Sequence, residues 1–395
     1  MMMRCSRPFT QDRSEVTVLE QVGRHAARKG LGPVARRVLA RPFRRGNAPR
    51  YAVIFEANRI SYSQIFPFVQ HAAEIERRHG VQLRFYTVET AETLDFSNVD
   101  RVLMQLWFTR ERAVFERLFE RAERGGANVV AFLDSFAHND LRLAPVLDPH
   151  IEFYLKKSLF RDRGQYDAPT LGHTNLTDFY NRVYGIEDEQ TRWEIPEGFL
   201  DKLRLSPNFF TAPDLYRYFL DHDIEALLAG PRDIDVHARL GSQGSPWYSA
   251  MRQHASNAVS ALTGLKVVSD GLVDRRRFNA ELKGSKICFS PFGYGEICWR
   301  DVEAAAFGAV LLKPDMDHLQ VLPNIYKAGV TYVPVKWDFS DIGTQVAWIL
   351  ANPDDAAGIA RAAFLRIRDY LETSRFVDDM SFLFQEHDGV ARRLT

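Results

Sequence analysis

The sequence has few cysteines and no long apolar run. Its three cysteines, Cys5, Cys288 and Cys298, are too few and too widely spaced for a disulfide framework or a thiolate metal site, which indicates a reducing compartment. No apolar stretch approaches the roughly 20 residues that span a bilayer, and the first residues lack the continuous apolar core of a secretory signal. We therefore expect a cytoplasmic protein.

The chain also lacks net charge, because Lys+Arg and Asp+Glu each total 51. This balance argues against a nucleic-acid partner. The charge is unevenly distributed, however, since residues 1–49 are rich in arginine and contain few acidic residues. Residues 14–45 mix arginines with apolar positions and suggest one or two short amphipathic helices. We expect this basic N-terminal extension either to contact an anionic membrane surface, peripherally on the inner face, or to be a disordered or self-packed extension.

With 395 residues and 46% hydrophobic content, the chain is long enough for two domains with their own cores. From Tyr51 onward, runs rich in β-branched and aromatic residues alternate with helical patterns, which predicts parallel sheets covered on both faces. Residues 50–215 form the first α/β domain and include an irregular connector from residue 160. Residues 216–375 form a second α/β domain, and residues 376–395 a C-terminal helix that packs back on either half.

The most informative stretch of the second domain is KICFSPFGYGEICWRDVEAAAFGAVLLKPD, residues 286–315. Its pattern predicts a strand, a turn containing Gly293 and Gly295, a helix from Glu296 to Phe307 that Gly308 ends, and a second strand. Glycines allow backbone N–H groups and the positive end of a following helix to approach an anion closely. A phosphate group is the expected ligand.

Three charged residues, Glu296, Arg300 and Glu303, are spaced by four and three positions. On the predicted helix they share one face. One interpretation is an exposed ion-pair ladder, which contributes only a few tenths of a kcal/mol. The adjacent open glycine turn favours the other interpretation, in which the arginine binds a phosphate.

The string SPFGYGEICWRDVEA, residues 290–304, resembles the S-P-x-G-x-G-x-x-x-x-R-x-x-E-A signature of exostosin-like glycosyltransferases. More broadly, residues 230–372 are similar in pattern to the nucleotide-sugar half of GT-B glycosyltransferases, including those of group 1. The resemblance implies two Rossmann-like domains facing a cleft. It implies a nucleotide-sugar as co-substrate, no resident cofactor, and sugar transfer to a glycan or lipid-linked acceptor in surface polysaccharide synthesis.

The resemblance also assigns roles on the donor side. Glu303 would accept hydrogen bonds from the ribose hydroxyls, and Arg300 with the amides of Gly293, Tyr294 and Gly295 would neutralise the leaving diphosphate. Retaining GT-B enzymes commonly separate their two glutamates by eight positions, whereas 303 − 296 = 7. This departure weakens the assignment of Glu296 to the donor sugar and favours an inverting enzyme. Further candidate donor ligands, each near the end of a predicted strand, are Arg239 and His318.

Inversion requires a general base from the first domain. The candidates are Asp134, His138 and Glu56, each at or just beyond the end of a predicted strand. A capping or turn role is the alternative for Asp134, and a hydrogen-bonded loop histidine is the alternative for His138.

The loop after the first strand supplies candidate acceptor ligands, Asn58, Arg59 and Tyr62. No Asp-x-Asp follows an apolar strand, and the histidines lack the spacing of zinc ligands, so we expect a metal-independent reaction.

Two alternatives share the nucleotide half. One is another GT-B enzyme, a nucleotide-sugar epimerase or a phosphorylase. The other is a non-catalytic nucleotide- or glycan-binding protein, which would keep the glycine turn and lack a base.

Overall fold

The computed structural model describes residues 42–207, 209–269 and 271–385. The amphipathic helices expected within residues 14–45 lie almost entirely outside these ranges, as do residues 386–395 of the C-terminal segment. No helix in the described ranges is both long and apolar enough to cross a membrane.

The described chain alternates strands and helices. In chain order the strands are β1 (Arg50–Phe55), β2 (Gln82–Thr87), β3 (Arg101–Met104), β4 (Asn128–Asp134), β5 (Phe153–Lys156), β6 (Ser158–Phe160), β7 (Thr170–Leu171), β8 (Gln190–Thr191), β9 (Leu203–Leu205), β10 (Ile234–His237), β11 (Val267–Val268), β12 (Ser285–Phe289), β13 (Val310–Pro314), β14 (Leu319–Val321) and β15 (Val333–Val335). The α-helices are Arg59–Gln70, Ala72–His79, Val88–Ala91, Arg112–Arg124, Ala144–Leu147, Asn175–Tyr184, Pro213–Asp221, Ile224–Ala229, Pro246–Ser260, Arg275–Lys283, Trp299–Ala306, Ile342–Ala351, Pro353–Glu372 and Arg375–Asp379.

Two parallel sheets organise these elements. The first has six strands in the order β2-β1-β3-β4-β5-β9, and the second has five in the order β11-β10-β12-β13-β15. Their central strands are buried along almost their whole length, as expected for parallel strands with helices on both faces. The predicted α/β class with two Rossmann-like halves is confirmed.

The helix of the glycine-turn unit begins later than the sequence predicts. It spans Trp299–Ala306, because Cys298 is its extended N-cap residue and the carboxylate of Asp301 accepts a hydrogen bond from the Cys298 backbone N at 2.9 Å. Glu296 therefore precedes the helix, and the prediction that it shares a helical face with Arg300 and Glu303 is wrong.

Two features join the halves. Strand β6, which comes directly after β5 of the first sheet in the chain, pairs antiparallel with β14 of the second half. The C-terminal segment crosses back to the first sheet, where the rings of Phe376 and Phe384 pack against those of Phe68 and Tyr51 at centroid distances of 4.8 and 5.3 Å. The two halves are thus joined by main-chain hydrogen bonds between β6 and β14 and by the aromatic packing of the C-terminal segment on the first half.

Candidate functional site

The loop after β4 and the glycine turn after β12 meet where the carboxyl ends of the strands of the two sheets face each other. A Cβ atom on Gly295 would lie 1.9 Å from the carbonyl oxygen of Ala137. The rings of His138 and Tyr294 lie 6.1 Å apart. Ligands of open α/β sheets bind at such strand ends, so this junction is the candidate functional site.

The glycine turn is held by contacts within the second half. Gly293 N donates to Gly295 O at 3.0 Å. The Tyr294 hydroxyl accepts a hydrogen bond from Ser245 N at 3.0 Å, and its ring stacks on Tyr248 at 4.6 Å. The close approach of Ala137 explains why position 295 must be glycine. Packing between the halves therefore accounts for one of the two glycines that the sequence suggested for anion binding.

Two cations lie against the turn and a third lies near one of them, and none has a carboxylate within 4 Å among the described residues. Lys157 is 2% exposed, and its Nζ lies 3.3 Å from the position that a Cβ added to Gly295 would occupy. This Nζ has no hydrogen-bond partner in the part of the chain that the structure describes. Burial lowers the pKa of Lys157 to about 8. Arg252, 4% exposed, has an unpartnered Nε and places Nη2 3.9 Å from the Cβ position of Gly293.

The third cation is Arg300, which uses Nη2 to donate to the carbonyl of Arg239 at 2.6 Å and leaves its Nε unpartnered within the described ranges. Burial, followed by repulsion from Arg300, lowers the pKa of Arg252. Cations gathered without a counter-charge form a site for an anion. The amide of Gly293, which the resemblance assigned to the diphosphate, instead donates to Gly295 O within the turn. On the sequence alone, only Arg300 of the three cations is assigned a role in phosphate binding.

The signals for the other two were weak. Lys157 follows an apolar strand directly, where a lysine is poorly solvated, and this was a usable clue. Arg252 lies on the long helix Pro246–Ser260 with no distinctive neighbours.

Two other predicted donor ligands carry ion pairs. Glu303 is 5% exposed and accepts from Arg275 Nη1 at 2.5 Å. Arg239 donates to both oxygens of Glu281 at 2.6 and 2.8 Å and to Gly271 O at 3.1 Å. Glu303 keeps a second oxygen for a ligand, whereas Arg239 can bind a phosphate only by exchanging part of its pair with Glu281.

Glu296 lies beneath the turn and is completely buried. Its Oε1 accepts from Asn175 Nδ2 at 2.9 Å and lies 3.8 Å from Nε2 of His318, another predicted donor ligand. Burial favours a higher pKa for Glu296, but His318 and the Asn175 amide outweigh it and lower the pKa to about 2. The carboxylate is therefore ionised. Asn175 comes from the connector, where the sequence offered no signal.

Two of the three base candidates are buried carboxylates engaged in ion pairs. Asp134 accepts from Lys156 Nζ at 2.5 Å, from the Tyr154 hydroxyl at 2.8 Å and from Phe136 N at 2.8 Å. Glu56 accepts from Nε and Nη2 of Arg110 at 2.7 and 2.8 Å, and from the backbone N of residue 107 at 3.0 Å. Both arrangements serve packing, since the lone pairs that a base would use are already occupied.

His138 is the candidate beside the glycine turn. Burial lowers its pKa to about 4, so the ring is neutral near pH 7. Arg142 Nη2 lies 3.2 Å from His138 Nδ1. Because a guanidinium can only donate, Nδ1 accepts and the ring proton is assigned to Nε2.

The three acceptor candidates differ in burial and in the contacts that already occupy their side chains. Asn58 caps the helix Arg59–Gln70 by accepting from Ser61 N at 2.9 Å. Tyr62 is 5% exposed, and burial raises the pKa of its hydroxyl. Arg59 is half exposed, pairs with Asp214 at 2.5 Å and stacks on Trp299 at 4.2 Å. Of the three side chains, Arg59 is the most exposed, and it contacts Trp299 of the second half.

No cluster of three or more metal-ligating side chains occurs within the described residues.

No protein-family model matches the sequence, and no curated protein sequence is significantly similar to it. Solved structures are similar in fold. A glycosyltransferase from Rickettsia africae ESF-5 superposes with a TM-score of 0.51 at 12% identity, covering 86% of this chain and 98% of that chain. Sucrose-phosphate synthase from Thermosynechococcus elongatus has a TM-score of 0.47 at 13% identity, over 85% and 98% of the two chains. Anabaena HepE in complex with UDP and glucose has a TM-score of 0.45 at 10% identity, over 84% and 98%.

The chain thus has the fold of GT-B glycosyltransferases, as the resemblance implied. The exostosin-like subtype stays a prediction.

Proposed function

We propose that this chain is a glycosyltransferase that takes a sugar from a nucleotide-sugar donor and transfers it to a glycan or lipid-linked acceptor. One observation carries the proposal: Lys157 and Arg252 lie against the glycine turn, with Arg300 near Arg252, and none of the three has a carboxylate partner in the described part of the chain. A nucleoside diphosphate supplies the negative charge that this arrangement lacks.

The proposed reaction uses these side chains to stabilise the leaving group. As the bond between the sugar and the diphosphate breaks, negative charge develops on the phosphate oxygen, and positioned cations in a site with little water lower the barrier. The three side chains then supply the stabilisation that a divalent metal supplies elsewhere, and the reaction is metal-independent. The free oxygen of Glu303 accepts a hydrogen bond from the ribose.

We assign the base of an inverting reaction to His138. Its neutral ring faces the turn, whereas Asp134 and Glu56 are neutralised by ion pairs. Arg142 must release Nδ1 when the acceptor binds, an exchange of the kind that hydrogen bonds of catalytic residues often undergo with substrate. The acceptor enters past Arg59.

Calorimetry with UDP, GDP and ADP tests the nucleotide site. We expect Arg300→Ala and Arg252→Ala to weaken binding of the preferred nucleotide at least ten-fold, since each removes a charge-assisted contact of about 1.5–3 kcal/mol. The matched control is Arg124→Ala, on an arginine that is 73% exposed and far from the turn. Absence of binding in the parent, or unchanged binding in both variants, would falsify the proposal.

The base assignment has its own test. His138→Ala should lower kcat by about 10²-fold or more, and NMR of the product should show inversion at the anomeric carbon. A loss below about five-fold, or retention of configuration, contradicts the assignment while leaving the nucleotide site intact.

We further propose that the acceptor belongs to surface polysaccharide synthesis and that residues 1–49 hold the protein at an anionic membrane surface. The support is the arginine-rich composition of that segment. Flotation with vesicles containing phosphatidylserine should recover the full chain and lose the chain shortened by residues 1–49. Equal recovery of both would remove the anchoring role.

A further inference from the structure

A stack of four side chains joins the two halves and the connector beside the glycine turn. The guanidinium carbon of Arg59 lies 4.2 Å from the ring centroid of Trp299, and the Trp299 ring stacks on that of Phe209 at 4.4 Å. The Nζ of Lys157 lies 4.9 Å from the centroid of the Phe209 ring. Trp299 begins the helix that follows the turn. The Phe209 ring therefore contacts both a buried cation of the first half and the second half.

The backbone of Phe209 has a conformation that phenylalanine rarely adopts. Its φ is 49°, in the left-handed region, where a bulky residue is an outlier. Phe209 N donates to Ser63 Oγ at 3.4 Å and Thr211 Oγ1 donates to Ser63 O at 2.7 Å, so contacts with the helix Arg59–Gln70 hold this conformation. Glycine would remove the strain. The presence of phenylalanine instead indicates that its ring has a role that outweighs the strain.

The Phe209 ring is suited to hold the ammonium group of Lys157. This lysine is 2% exposed, and its Nζ has no hydrogen-bond partner in the described ranges. The face of an aromatic ring attracts a cation within about 6 Å of its centroid, most strongly where water is excluded. A carboxylate in the same place would neutralise the lysine, whereas the ring stabilises the charge and leaves the N–H groups free to donate to an anion.

We propose that Phe209 is a positioning residue of the nucleotide site, and that its ring holds the Lys157 ammonium group at the glycine turn in the charged form that binds the diphosphate. This inference rests on the proposed function, since it needs a diphosphate at the turn. Phe209 acts through Lys157, so the loss of its ring should depend on whether the lysine can lose its proton.

Burial lowers the pKa of Lys157 to about 8. The other charged or titratable groups that act on it are Glu296 and Cys298 of the turn segment, Asp134 and Lys156 of the first sheet, and His138 of the loop after β4. The diphosphate binds the charged lysine, so nucleotide affinity should fall as the pH rises above about 8. Without the ring the neutral lysine is favoured, and the fall should begin about one pH unit lower.

Calorimetry with UDP, GDP and ADP on the full chain, at about pH 6.5 and about pH 9, tests this pH dependence. Phe209→Leu should weaken binding of the preferred nucleotide by less than about three-fold at the lower pH and by about ten-fold at the higher pH. In a Lys157→Met background, Phe209→Leu should cause no further loss at either pH, because the group on which it acts is absent.

Phe339→Leu is the matched control. Phe339 is also buried and also has a left-handed φ, of 59°, and its ring packs against those of His254 and Phe289. Its substitution removes a similar buried ring from a similarly strained backbone, away from Lys157. We expect the nucleotide Kd of this variant to stay within about two-fold of the parent value at both pH values.

The outcomes separate the two proposals. A parent chain that binds no nucleoside diphosphate overturns both. Normal binding in the parent overturns the positioning role alone in three cases: the parent Kd is the same at both pH values, Phe209→Leu binds as the parent does, or its loss is equal at both pH values or persists in the Lys157→Met background. In the last case the ring only supports the packing of Trp299. If Phe209→Leu fails to fold, Phe209→Met, which has a more adaptable side chain and also lacks the aromatic face, decides.

Discussion

Replacing Gly295 by alanine should separate the two halves at the candidate site. The added Cβ would meet the carbonyl oxygen of Ala137 at 1.9 Å and its carbonyl carbon at 2.7 Å. Contacts of a real Cβ below 3.0 Å are essentially never found, so the backbones must move apart by at least 3.0 − 1.9 = 1.1 Å. No side-chain rotation can relieve the overlap, because the obstructing atoms belong to the backbone.

The magnitude follows from this displacement. Overpacking costs about 1–3 kcal/mol, and a contact with backbone belongs at the upper end. We therefore expect Gly295→Ala to lower the free energy of unfolding by about 3 kcal/mol. A shift of about 1 Å in reacting groups costs roughly 10²-fold in rate, so turnover should fall by about that factor.

Gly293→Ala, two residues away in the same turn, is the matched comparison. Its Cβ would meet Cys298 Sγ at 3.4 Å and Gly295 O at 3.6 Å, which are ordinary contacts. Neither glycine has a left-handed φ, so backbone strain does not enter. We expect the unfolding free energy of Gly293→Ala to stay within about 1 kcal/mol of the parent.

Urea unfolding and nucleotide calorimetry on both variants decide the matter. If Gly295→Ala is as stable as the parent, the close approach of the halves is refuted. If Gly293→Ala stays stable and loses nucleotide binding, glycine is needed at position 293 for the approach of the anion and not for packing. If Gly295→Ala loses nucleotide binding and Gly293→Ala keeps it, the result supports a packing role for Gly295. In that role the close contact of Gly295 with Ala137 keeps the two halves at the distance that the nucleotide site requires.

Three further substitutions test the buried charges. Lys157→Met should raise the unfolding free energy near pH 7 by up to about 3 kcal/mol, because the lysine keeps its proton up to pH 10.5 in the unfolded chain and only up to about pH 8 in the folded one. In urea unfolding, this gain in stability should disappear as the pH rises from 8 to 10.5. A gain that does not depend on pH would contradict the prediction. Asp134→Asn should lower the unfolding free energy by about 3 kcal/mol, because it leaves buried Lys156 without its anion. The kcat of the folded fraction should stay within a few-fold of the parent value. A 10²-fold loss of kcat would instead support Asp134 as the base. Arg110→Ala should cost about 2 kcal/mol in the same unfolding assay, less than a fully buried pair because the Arg110 side chain is 35% exposed and water can reach Glu56, and an unchanged stability would refute the role of this pair.

Much of the architecture was predictable from local patterns. Near-continuous apolar runs separated by helical spacing predicted two parallel sheets, and the turn between β12 and the helix Trp299–Ala306 was located correctly. The helix start was misplaced by three residues, because the carboxylate of Asp301 caps the backbone of Cys298 and this competes with the helical pattern of Glu296. Such a choice depends on a few hydrogen bonds that periodicity does not register.

The candidate site was less predictable, since its residues are distant in sequence. Glu296 meets Asn175 across 121 positions. Asp134, which as a polar residue at a strand end was a reasonable base candidate, has an ion pair 22 positions away that occupies its lone pairs.

The sequence alone therefore determined the α/β class, the glycine turn, and the placement of Arg300 and Glu303 after it, because these follow from side-chain periodicity and from two glycines that lie between a strand pattern and a helix pattern. Only the tertiary structure decided which charges are neutralised and which are not. It paired Asp134, Glu56 and Arg239 with partners and left Lys157 buried without one among the described residues. The physical reason is that the state of a buried charge depends on groups brought near it by the packing of the two halves, and no local pattern carries that information.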